Sequence, residues 1–416
     1  MEDLIRTVGA ILEYGPVCDH CLGRFFGKRS FGLSNAERGL AVRTAYALAQ
    51  NEPFAGEPDE CWICNRIFDS IDLWARRVCE ALDGVDFATF LVGTRVPPLV
   101  AESEEMVWSD LSLADPEPIK SEMNREVGKA VSALTGKSVD FRRPDVVAVL
   151  NLAEERVEIE INPVYFRGRY LKYERGIPQT HWDCRVCRGK GCERCNFTGK
   201  MYADSVEELI GGPAVEAFGA ETAVLHGAGR EDIDARMLGS GRPFVMEMVR
   251  PTRRQVDLAD LEAAINAAAE GRVGVILQGW SSHAEVETLK SNKAHKKYRI
   301  LVEVDGEISL DVLQSALTRL NGETINQRTP QRVAHRRADR IRKRRVIDIR
   351  SPGMQDGRFV IDVVGEAGLY IKELISGDGG RTSPSLTEIL GIDAHVTSLD
   401  VVLVEEPESG DCDGSS

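Results

Sequence analysis

Cysteine spacing constrains this 416-residue chain more than any other feature, because eight of its ten cysteines fall into four Cys-x-x-Cys pairs. Two thiolates at this spacing hold one side of a tetrahedral metal ion, and two such pairs complete its four ligands. The N-terminus lacks a basic region and a cleavage site, so we expect a cytoplasmic protein, in which paired cysteines bind metal more often than they form disulfides. The paired residues are Cys18, Cys21, Cys61, Cys64, Cys184, Cys187, Cys192 and Cys195.

The four pairs divide into two predicted zinc sites. The first two pairs are separated by 39 residues, and cysteine pairs that meet in a folded chain rarely do so without metal. The last two pairs form a compact Cys-x2-Cys-x4-Cys-x2-Cys pattern, which favours a zinc knuckle over a redox or iron–sulfur site. His20 and His181 adjoin the pairs, but four cysteines already complete each set, so we do not expect either histidine to bind the metal.

Charge is unevenly distributed along the chain. The net charge of −14 argues against indiscriminate binding to nucleic acids, and no stretch approaches the ~20 apolar residues of a membrane span. Against this background, the 23 residues of the basic segment, Arg328–Arg350, carry ten lysines or arginines and two acids. The basic segment predicts a surface for a polyanion, and the alternative is a helix that neutralises the protein's own acids. A second segment, Asn162–Arg175, interleaves aromatic with basic residues and predicts either RNA contacts or an amphipathic edge strand.

Apolar periodicity predicts an α+β fold with a mixed or antiparallel sheet, because strands outnumber helices and the connections vary in length. We expect a zinc-knuckle region over residues 1–85 and an α/β region over residues 86–200 that ends in the second knuckle. A main domain over residues 201–406 and an acidic tail over residues 407–416 follow. Ser34 and Glu37 form a capping box that predicts a helix from there to about Ala49.

The segment from Gly229 to Phe244 combines acids, arginines and glycines directly after the apolar run Thr222–Leu225, which predicts a buried strand. An acidic side chain at a strand end beside arginines is a common way to present a reactive carboxylate. The alternative is a surface turn held by local Arg–Asp pairs. Gly227 and Gly229 match part of a dinucleotide-binding fingerprint, but the third glycine is missing and acids follow, so we discount that site.

Several segments resemble the pseudouridine synthases, and most closely the archaeal transfer-RNA synthases of the Pus-ten type. The charged segment GREDIDARMLGSGRPF is similar to the catalytic loop of that family, and TPQRVAHRRADRIRKRR and GLYIKELISGDGGRTSPSL are similar to further family segments. The early CDHCLGRFFG and the later CWIC are similar as well. The resemblance covers most of the chain. It implies a pseudouridine synthase catalytic domain preceded by a zinc-binding, THUMP-containing RNA-binding domain.

The resemblance also implies roles for individual residues. Asp232 corresponds to the catalytic aspartate, although chemistry alone leaves Asp234 open as an alternative. Arg230 and Lys372 are implied as its basic partners, beside which the carboxylate would stay ionised. The implied substrate contacts are Tyr298, Tyr370, Arg336, Arg337, Arg340 and Arg344.

The implied reaction is the isomerisation of uridine to pseudouridine at positions 54 and 55 in the T arm of tRNA, with structural zinc and no organic cofactor. The carboxylate would either attack the ribose or remove the proton from its carbon 2 to give a glycal, and both routes stay open. Tyr298 would hold the detached uracil by stacking, at about 1–3 kcal/mol per base. No membrane and no obligatory protein partner are implied.

Two other functions stay open as alternatives. The first is a THUMP-type RNA-binding protein with another tRNA-modification chemistry, such as methyl transfer or thiolation. That protein would need a cofactor loop, and the sequence shows no such motif. The second is a non-catalytic zinc adaptor on RNA, which would leave Asp232 replaceable.

Overall fold

The computed structural model describes residues 2–114, 116–291 and 294–404, and the chain divides into two compact units. The first unit comprises Met1–Pro163 with Thr252–Arg254, and the second comprises Val164–Pro251 with Gln255–Ser416. The expected domain border near residue 200 differs from this division, because the strand that starts at Val164 hydrogen-bonds on both sides to strands of the second unit. The predicted acidic tail, residues 407–416, lies outside the described residues.

The first unit combines six helices with a small sheet in the described part of the chain. Its helices are α1 (Glu2–Glu13), α2 (Asp19–Arg24), α3 (Asn35–Gln50), α4 (Ile71–Ala81), α5 (Pro98–Asp110) and α6 (Ile119–Thr135). Its strands are β1 (Thr89–Arg95), β2 (Ser138–Val139), β3 (Val146–Asn151) and β4 (Arg156–Ile161). The strand order is β2-β1-β3-β4, with β1 parallel to both neighbours and β3 antiparallel to β4.

Local signals in the sequence set the ends of these helices. The Ser34 hydroxyl accepts a hydrogen bond from the Glu37 backbone at 3.2 Å, and the Glu37 carboxylate accepts one from the Ser34 backbone at 2.7 Å. This reciprocal pair confirms the capping box predicted for α3. Helix α3 ends at Asn51 in the left-handed conformation, and α4 buries Trp74 and Val78 on one side.

The second unit contains the remaining strands and helices. Its strands are β5 (Val164–Lys172), β6 (Thr222–Gly227), β7 (Arg236–Val249), β8 (Val273–Ser281), β9 (Lys296–Val304), β10 (Thr324–Arg328), β11 (Ile341–Gln355), β12 (Arg358–Gly365), β13 (Thr382–Ser383) and β14 (Ala394–Val404). Its helices are α7 (Val206–Phe218), α8 (Leu258–Ala268), α9 (His283–Ser291), α10 (Leu310–Leu320), α11 (Ile371–Ser376) and α12 (Leu386–Leu390).

These ten strands form one sheet in the order β13-β10-β11-β12-β9-β14-β7-β5-β8, with β6 also paired to β7. In the described residues the strand pairs are antiparallel apart from β7 with β14, which run parallel. Helices α7 and α8 contact β6 and β8, and α10 and α11 contact β11 and β14. The mixed sheets of both units confirm the expected α+β class. No helix in the described ranges is both long enough and apolar enough to cross a bilayer.

Three stretches differ from their sequence-based interpretation. The charged segment is a loop only over residues 228–235, and β7 then begins at Arg236, because Phe244, Met246 and Met248 bury one side of it. The segment Asn162–Arg175 does not form an edge strand, since β5 lies between β7 and β8. The basic segment is not a helix that neutralises acids: it comprises the end of β10, a short 3-10 turn over Gln331–Arg336, and most of β11.

Candidate active site

A cleft of about 650 Å³ opens on the second unit beside the loop between β6 and β7. Its walls come from that loop, the start of β9, the 3-10 turn at Gln331–Arg336, the residues before and at the start of α11, and β14. Six of the site residues predicted from the sequence line it: Arg230, Asp232, Tyr298, Arg337, Tyr370 and Lys372. Segments that are far apart in the sequence therefore meet around Asp232.

The Asp232 carboxylate lies between two cations. Its Oδ1 accepts a hydrogen bond from Arg332 Nη1 at 2.9 Å, and its Oδ2 is 3.7 Å from Lys372 Nζ. Arg332 is itself held by the buried Glu373, whose Oε1 accepts from Nε at 2.7 Å. The arginine therefore cannot turn away from the cleft without leaving Glu373 unpaired, and it fixes the orientation of the Asp232 carboxylate.

Asp234, the alternative to Asp232, occupies a more open position. Its side chain is 68% exposed, against 30% for Asp232, and its Oδ2 accepts a hydrogen bond from Lys372 Nζ at 2.6 Å. Partial burial raises the pKa of Asp234, but the hydrogen bond from Lys372 outweighs it and the net shift is downward. Both acids line the cleft and contact Lys372, but Asp232 is the more enclosed and has Arg332 as a second cationic partner.

Arg230 lies at the edge of the cleft, beside the second cysteine group. Its guanidinium carbon lies 5.3 Å from the centre of the Trp182 ring, a cation–π contact at the edge of the cleft. Arg332, which belongs to the basic segment, is an arginine that pairs with Asp232.

A buried group of charged and polar side chains supports the loop from below. Glu231, next to Asp232, turns into the protein and accepts hydrogen bonds from the Tyr170 hydroxyl at 2.8 Å and from Arg242 Nε at 2.9 Å. The side chains of Glu231, Arg242 and Tyr170 are almost fully buried. Burial and the neighbouring Glu231 charge raise the pKa of Tyr170 well above its usual value, so it acts as a hydrogen-bond donor.

Lys172 ties the loop backbone to β5. Its amine, which is fully buried, donates to the carbonyl oxygens of Ile177 at 2.7 Å, Ile233 at 3.1 Å and Asp232 at 3.4 Å. Gln179 adds a hydrogen bond to the carbonyl of Gly229 at 3.0 Å. These contacts hold the loop on both sides of Asp232. Lys172 is the donor to the buried Ile177 carbonyl, whereas the Ile233 and Asp232 carbonyls also accept backbone hydrogen bonds, from Gly176 at 2.9 Å and from Ala235 at 3.0 Å.

Tyr298 and Lys296 project into the cleft from β9. Burial raises the pKa of Tyr298 to about 12, so its phenol stays protonated at neutral pH. Burial also lowers the pKa of Lys296 to about 8, with the nearby Arg242 acting in the same direction. Alternate residues of a strand share a face, so the spacing places this amine beside the tyrosine.

Tyr370 is held at both ends. Its backbone N–H donates to the buried Gln327 Oε1 at 2.8 Å, and its carbonyl accepts from Gln327 Nε2 at 2.9 Å. Its hydroxyl accepts a hydrogen bond from Arg337 Nη1 at 3.0 Å. Among the described residues that line the cleft, Tyr370 and Tyr298 are the aromatic side chains predicted to contact substrate.

The other predicted phosphate contacts lie outside the cleft lining in the described part of the chain. The Arg340 side chain is exposed after the 3-10 turn, and Arg344 is half-buried on β11, where its Nη1 donates to the carbonyl of Lys343 at 2.7 Å. Arg336 ends the 3-10 turn, and its side chain falls outside the described set.

The eight paired cysteines form two four-sulfur groups. Within each group, all sulfur atoms lie within 4.8 Å of one another, and individual separations include 3.6 Å for Cys18–Cys64 and 3.8 Å for Cys187–Cys195. Ligands about 2.3 Å from a tetrahedral ion lie about 3.8 Å apart, so both groups fit a zinc ion. The thiols are free rather than disulfide-bonded.

The surroundings of Cys195 favour its thiolate. In the second group, Cys195 Sγ accepts hydrogen bonds from the backbone of Cys192 at 3.2 Å and of Gly199 at 3.3 Å. Burial raises the pKa of the Cys195 thiol, but these donors outweigh it and lower the pKa to about 6. His20 hydrogen-bonds to Glu122 at 2.8 Å and His181 to Asp183 at 3.0 Å, and neither belongs to a four-sulfur group.

Two family profiles match the chain. The profile described as "Pus10, C-terminal" matches residues 165–405, more than half of the chain, and "Pus10 THUMP domain, archaeal" matches residues 74–151. The chain belongs to the Pus10 family. The second match confirms that the N-terminal part of this Pus10 chain contains a THUMP domain, as expected.

Curated relatives named "tRNA pseudouridine synthase Pus10" are similar over nearly the whole chain. The relative from Halorubrum lacusprofundi is 46% identical over 97% of this chain and 96% of its own length. Relatives from Methanothrix thermoacetophila and Pyrococcus furiosus are 44% and 38% identical, over 96% and 98% of this chain and 94% and 100% of their own lengths. This Pus10 chain is therefore a pseudouridine synthase, an enzyme that isomerises uridine.

Among solved structures, a "Cbf5-Nop10-Gar1 Complex" matches with 19% identity and a TM-score of 0.31, over 48% of this chain and 45% of that one. This likeness is too low to support any conclusion about the Pus10 chain.

The sequence did not identify the residues outside the β6–β7 loop that hold this loop in position. Arg332 was identified only as part of a basic segment, because its pairing with Asp232 spans 100 residues. The sequence could have indicated Tyr170 and Lys172, because both alternate with Phe166 along β5 and therefore share its buried face. A lysine on the apolar face of a strand requires an internal partner, and that requirement points to a buried acid.

Proposed function

We propose that this enzyme converts uridine to pseudouridine at positions 54 and 55 in the T arm of tRNA, with the Asp232 carboxylate as its reactive group. The observation that carries the proposal is the position of that carboxylate. It lies at the edge of a cleft, held by Arg332 at 2.9 Å and faced by Lys372 at 3.7 Å, with Tyr298 also lining the cleft. The two positions in the T arm come from the resemblance to the family.

The reaction rearranges bonds without net oxidation or reduction. The bond from uracil N1 to ribose C1′ breaks, the base turns over, and a bond from C5 to C1′ forms. C5 loses its proton and N1 gains one, so substrate and product have the same composition. A base, an acid and a means of retaining the free uracil are sufficient for this chemistry.

Asp232 would serve either of two routes. Its carboxylate would attack C1′ and form a covalent ribosyl ester, or it would remove the proton from C2′ and leave a glycal. In both routes the negative charge passes from the carboxylate to the departing uracil as the N1–C1′ bond breaks. Arg332 and Lys372, which face the carboxylate before the reaction, would then stabilise the charge on the base. The Glu373–Arg332 pair keeps this arrangement ready before substrate binds.

Tyr298 would retain the base during its rotation. The target uridine must leave the folded T arm and enter the cleft, which costs a few kcal/mol of unstacking. Stacking on an aromatic ring returns about 1–3 kcal/mol. Because the phenol stays protonated at neutral pH, no negative charge develops beside Asp232.

Recognition of tRNA would depend on phosphate contacts around the cleft. Arg337 lines the cleft, and Arg340, three residues later in the chain, is exposed. Arg336 and Arg344 complete the set of arginines that the resemblance implies. The THUMP-containing first unit would supply further RNA contacts. Phosphate contacts position an RNA without reading its bases, so affinity falls as salt rises.

We also propose that each four-cysteine group binds one structural zinc ion, in a cytoplasmic enzyme. Zinc would supply cross-links between chain segments rather than chemistry at the cleft. The tetrahedral sulfur spacing and the N–H donors to Cys195 support this proposal. No organic cofactor enters the reaction as written.

The decisive variant is Asp232→Asn, which keeps the size and removes the charge. We expect it to abolish isomerisation of a tRNA transcript while tRNA affinity stays within about threefold of wild type, because phosphate contacts supply most of the binding. Release of tritium from 5-tritiated uridine measures turnover, since C5 loses its hydrogen. Mapping pseudouridine in the product then tests the two T-arm positions.

Asp234→Asn is the matched control, because it removes a carboxylate two residues away that also contacts Lys372. We expect it to keep turnover. Full activity of Asp232→Asn would refute the mechanism, and turnover confined to uridines outside the T arm would refute the proposed substrate site.

A further inference from the structure

The chain entering and leaving the second cysteine group carries two aromatic residues, Trp182 and Tyr202. Their rings lie 6.0 Å apart between centres at 85°, an edge-to-face contact. Asp183 and Lys200 pair as an antiparallel bridge between them, and the backbone of Met201 donates to the Trp182 carbonyl at 2.9 Å. The cysteine group therefore closes a loop whose two ends hold these rings together.

This aromatic pair faces the cleft rather than the core. Trp182 and Tyr202 both line it, are half-buried, and lie outside the large apolar core of the second unit. Arg230 lies over the Trp182 ring at 5.3 Å, and the exposed Arg185 lines the same wall. Arg230 precedes Asp232 by two residues, a span of at most about 7 Å along the backbone.

We propose that Trp182, Tyr202 and Arg230 form a stacking subsite for an unpaired nucleobase adjacent to the target uridine. This inference rests on the proposed function, because it places the subsite beside the reacting nucleotide. A flipped uridine leaves its neighbours unstacked, and aromatic or arginine planes take up such bases without regard to sequence. The base would replace the Arg230 guanidinium over the Trp182 ring, and the released guanidinium would bind a phosphate.

The arrangement accounts for features that a purely structural knuckle does not require. Such a knuckle needs its four sulfurs and turns, but it does not need a tryptophan that lines the cleft under an arginine. Phe197, on the same loop, is 73% exposed and does not line the cleft in the described residues. The loop thus offers an aromatic residue at the proposed subsite and a second one away from it.

The test is a double-mutant cycle between protein and RNA. The protein variants are Trp182→Leu, Trp182→Phe and the control Phe197→Leu. The RNAs are an intact tRNA and tRNAs with an abasic nucleotide immediately 5′ or 3′ of the target uridine. Dissociation constants at fixed salt form the readout, so the result does not depend on turnover, and zinc content of each variant is measured alongside.

We expect Trp182→Leu to weaken binding of intact tRNA about 5- to 150-fold, the range that stacking of one base gives. On one of the two abasic tRNAs that loss should disappear, while Trp182→Phe keeps most of the affinity and Phe197→Leu is unchanged. An equal loss on all three RNAs, or no loss on any, would overturn the subsite.

Wild-type protein gives a second test that does not depend on how the variants fold. One of the two abasic tRNAs is expected to abolish the effect of Trp182→Leu, and wild-type protein should bind that RNA more weakly than intact tRNA by a similar factor. Equal affinity of wild-type protein for all three RNAs would overturn the subsite. If Asp232→Asn proved fully active while this coupling was observed, the mechanism would fail and the subsite would stand.

Discussion

Three cationic side chains around the cleft differ in the acidic partners that they have. Arg332 is locked by Glu373, and Lys372 is shared between Asp232 and Asp234. Lys296 makes no ion pair with any described residue and has Arg242 and Glu231 as its charged neighbours. Burial without a close acid is costly for an ammonium ion, so Lys296 is the cation whose charge responds most readily to pH.

The first residue-level prediction concerns pH. With a pKa of about 8, Lys296 is charged below that pH and neutral above it. We expect kcat/KM for tRNA to fall as pH rises through about 8, because a neutral amine no longer attracts the RNA. In Lys296→Arg the guanidinium stays charged, so the alkaline fall should move to higher pH. Kinetics of both proteins across this range give the comparison.

Lys296→Met extends the same prediction at neutral pH. Loss of one charge-assisted contact should lower kcat/KM about tenfold or more. An unchanged alkaline limb in Lys296→Arg would show that another group, such as the uridine itself, causes the fall.

At the level of single elements, the loop between β6 and β7 depends on strands that flank it. Glu231 points inward to Tyr170 and Arg242, and Asp232 points outward to the cleft. This alternation sets the direction of the reactive carboxylate. Helix starts, in contrast, follow local rules: the side chains of Ser205 and Ser309 accept hydrogen bonds from the first turns of α7 and α10.

The element-level prediction is that Lys172→Met loosens this loop. The substitution leaves the carbonyl of Ile177 without its donor, removes one of the two donors to the carbonyl of Ile233, and removes a positive charge near Glu231. Breaking a buried charged network in this way costs about 3–5 kcal/mol. We expect faster hydrogen exchange over residues 228–235 and a lower unfolding midpoint for the second unit.

Lys343→Met is the control, because Lys343 is exposed on β11. Its exchange pattern and unfolding midpoint should match wild type. Wild-type protection of residues 228–235 in Lys172→Met would show that Arg242 and Gln179 suffice to hold the loop.

At the level of the whole chain, the two cysteine groups differ in what they stabilise. The sulfurs of Cys18, Cys21, Cys61 and Cys64 belong to the apolar core of the first unit. Arg24, fully buried, extends this group by donating to Cys21 Sγ at 3.6 Å and by pairing with Glu104 on α5. The second group lies outside the core of the second unit and is partly exposed.

Metal removal should therefore have unequal effects. We expect Cys18→Ser to lose one zinc ion and the cooperative unfolding of the first unit, because a structural zinc site contributes folding free energy directly. Cys187→Ser should also lose one zinc ion, but the first and second units should each keep a cooperative unfolding transition. Metal analysis and calorimetry of each full-length variant measure both effects, and wild type should hold two ions per chain.

A folded, metal-free wild-type protein would contradict the zinc proposal. Equal loss of stability in both variants would instead contradict the difference in burial between the two groups.

The class of fold, the capping residues and the cysteine pairs could be read from short stretches of chain, because each depends on neighbours within a few residues or on a fixed spacing. The border between the two units could not, since β5 joins the second sheet through partners that come about 70 and 110 residues later. The sequence identified Asp232 through the charged segment that contains it. It did not identify Arg332 as the partner of Asp232, because a pairing across 100 residues leaves no local pattern. Burial is decided in the same way: the Glu231 side chain is buried and that of Asp232 is not, because Tyr170 and Arg242 hydrogen-bond to Glu231 and only folding brings them to the loop.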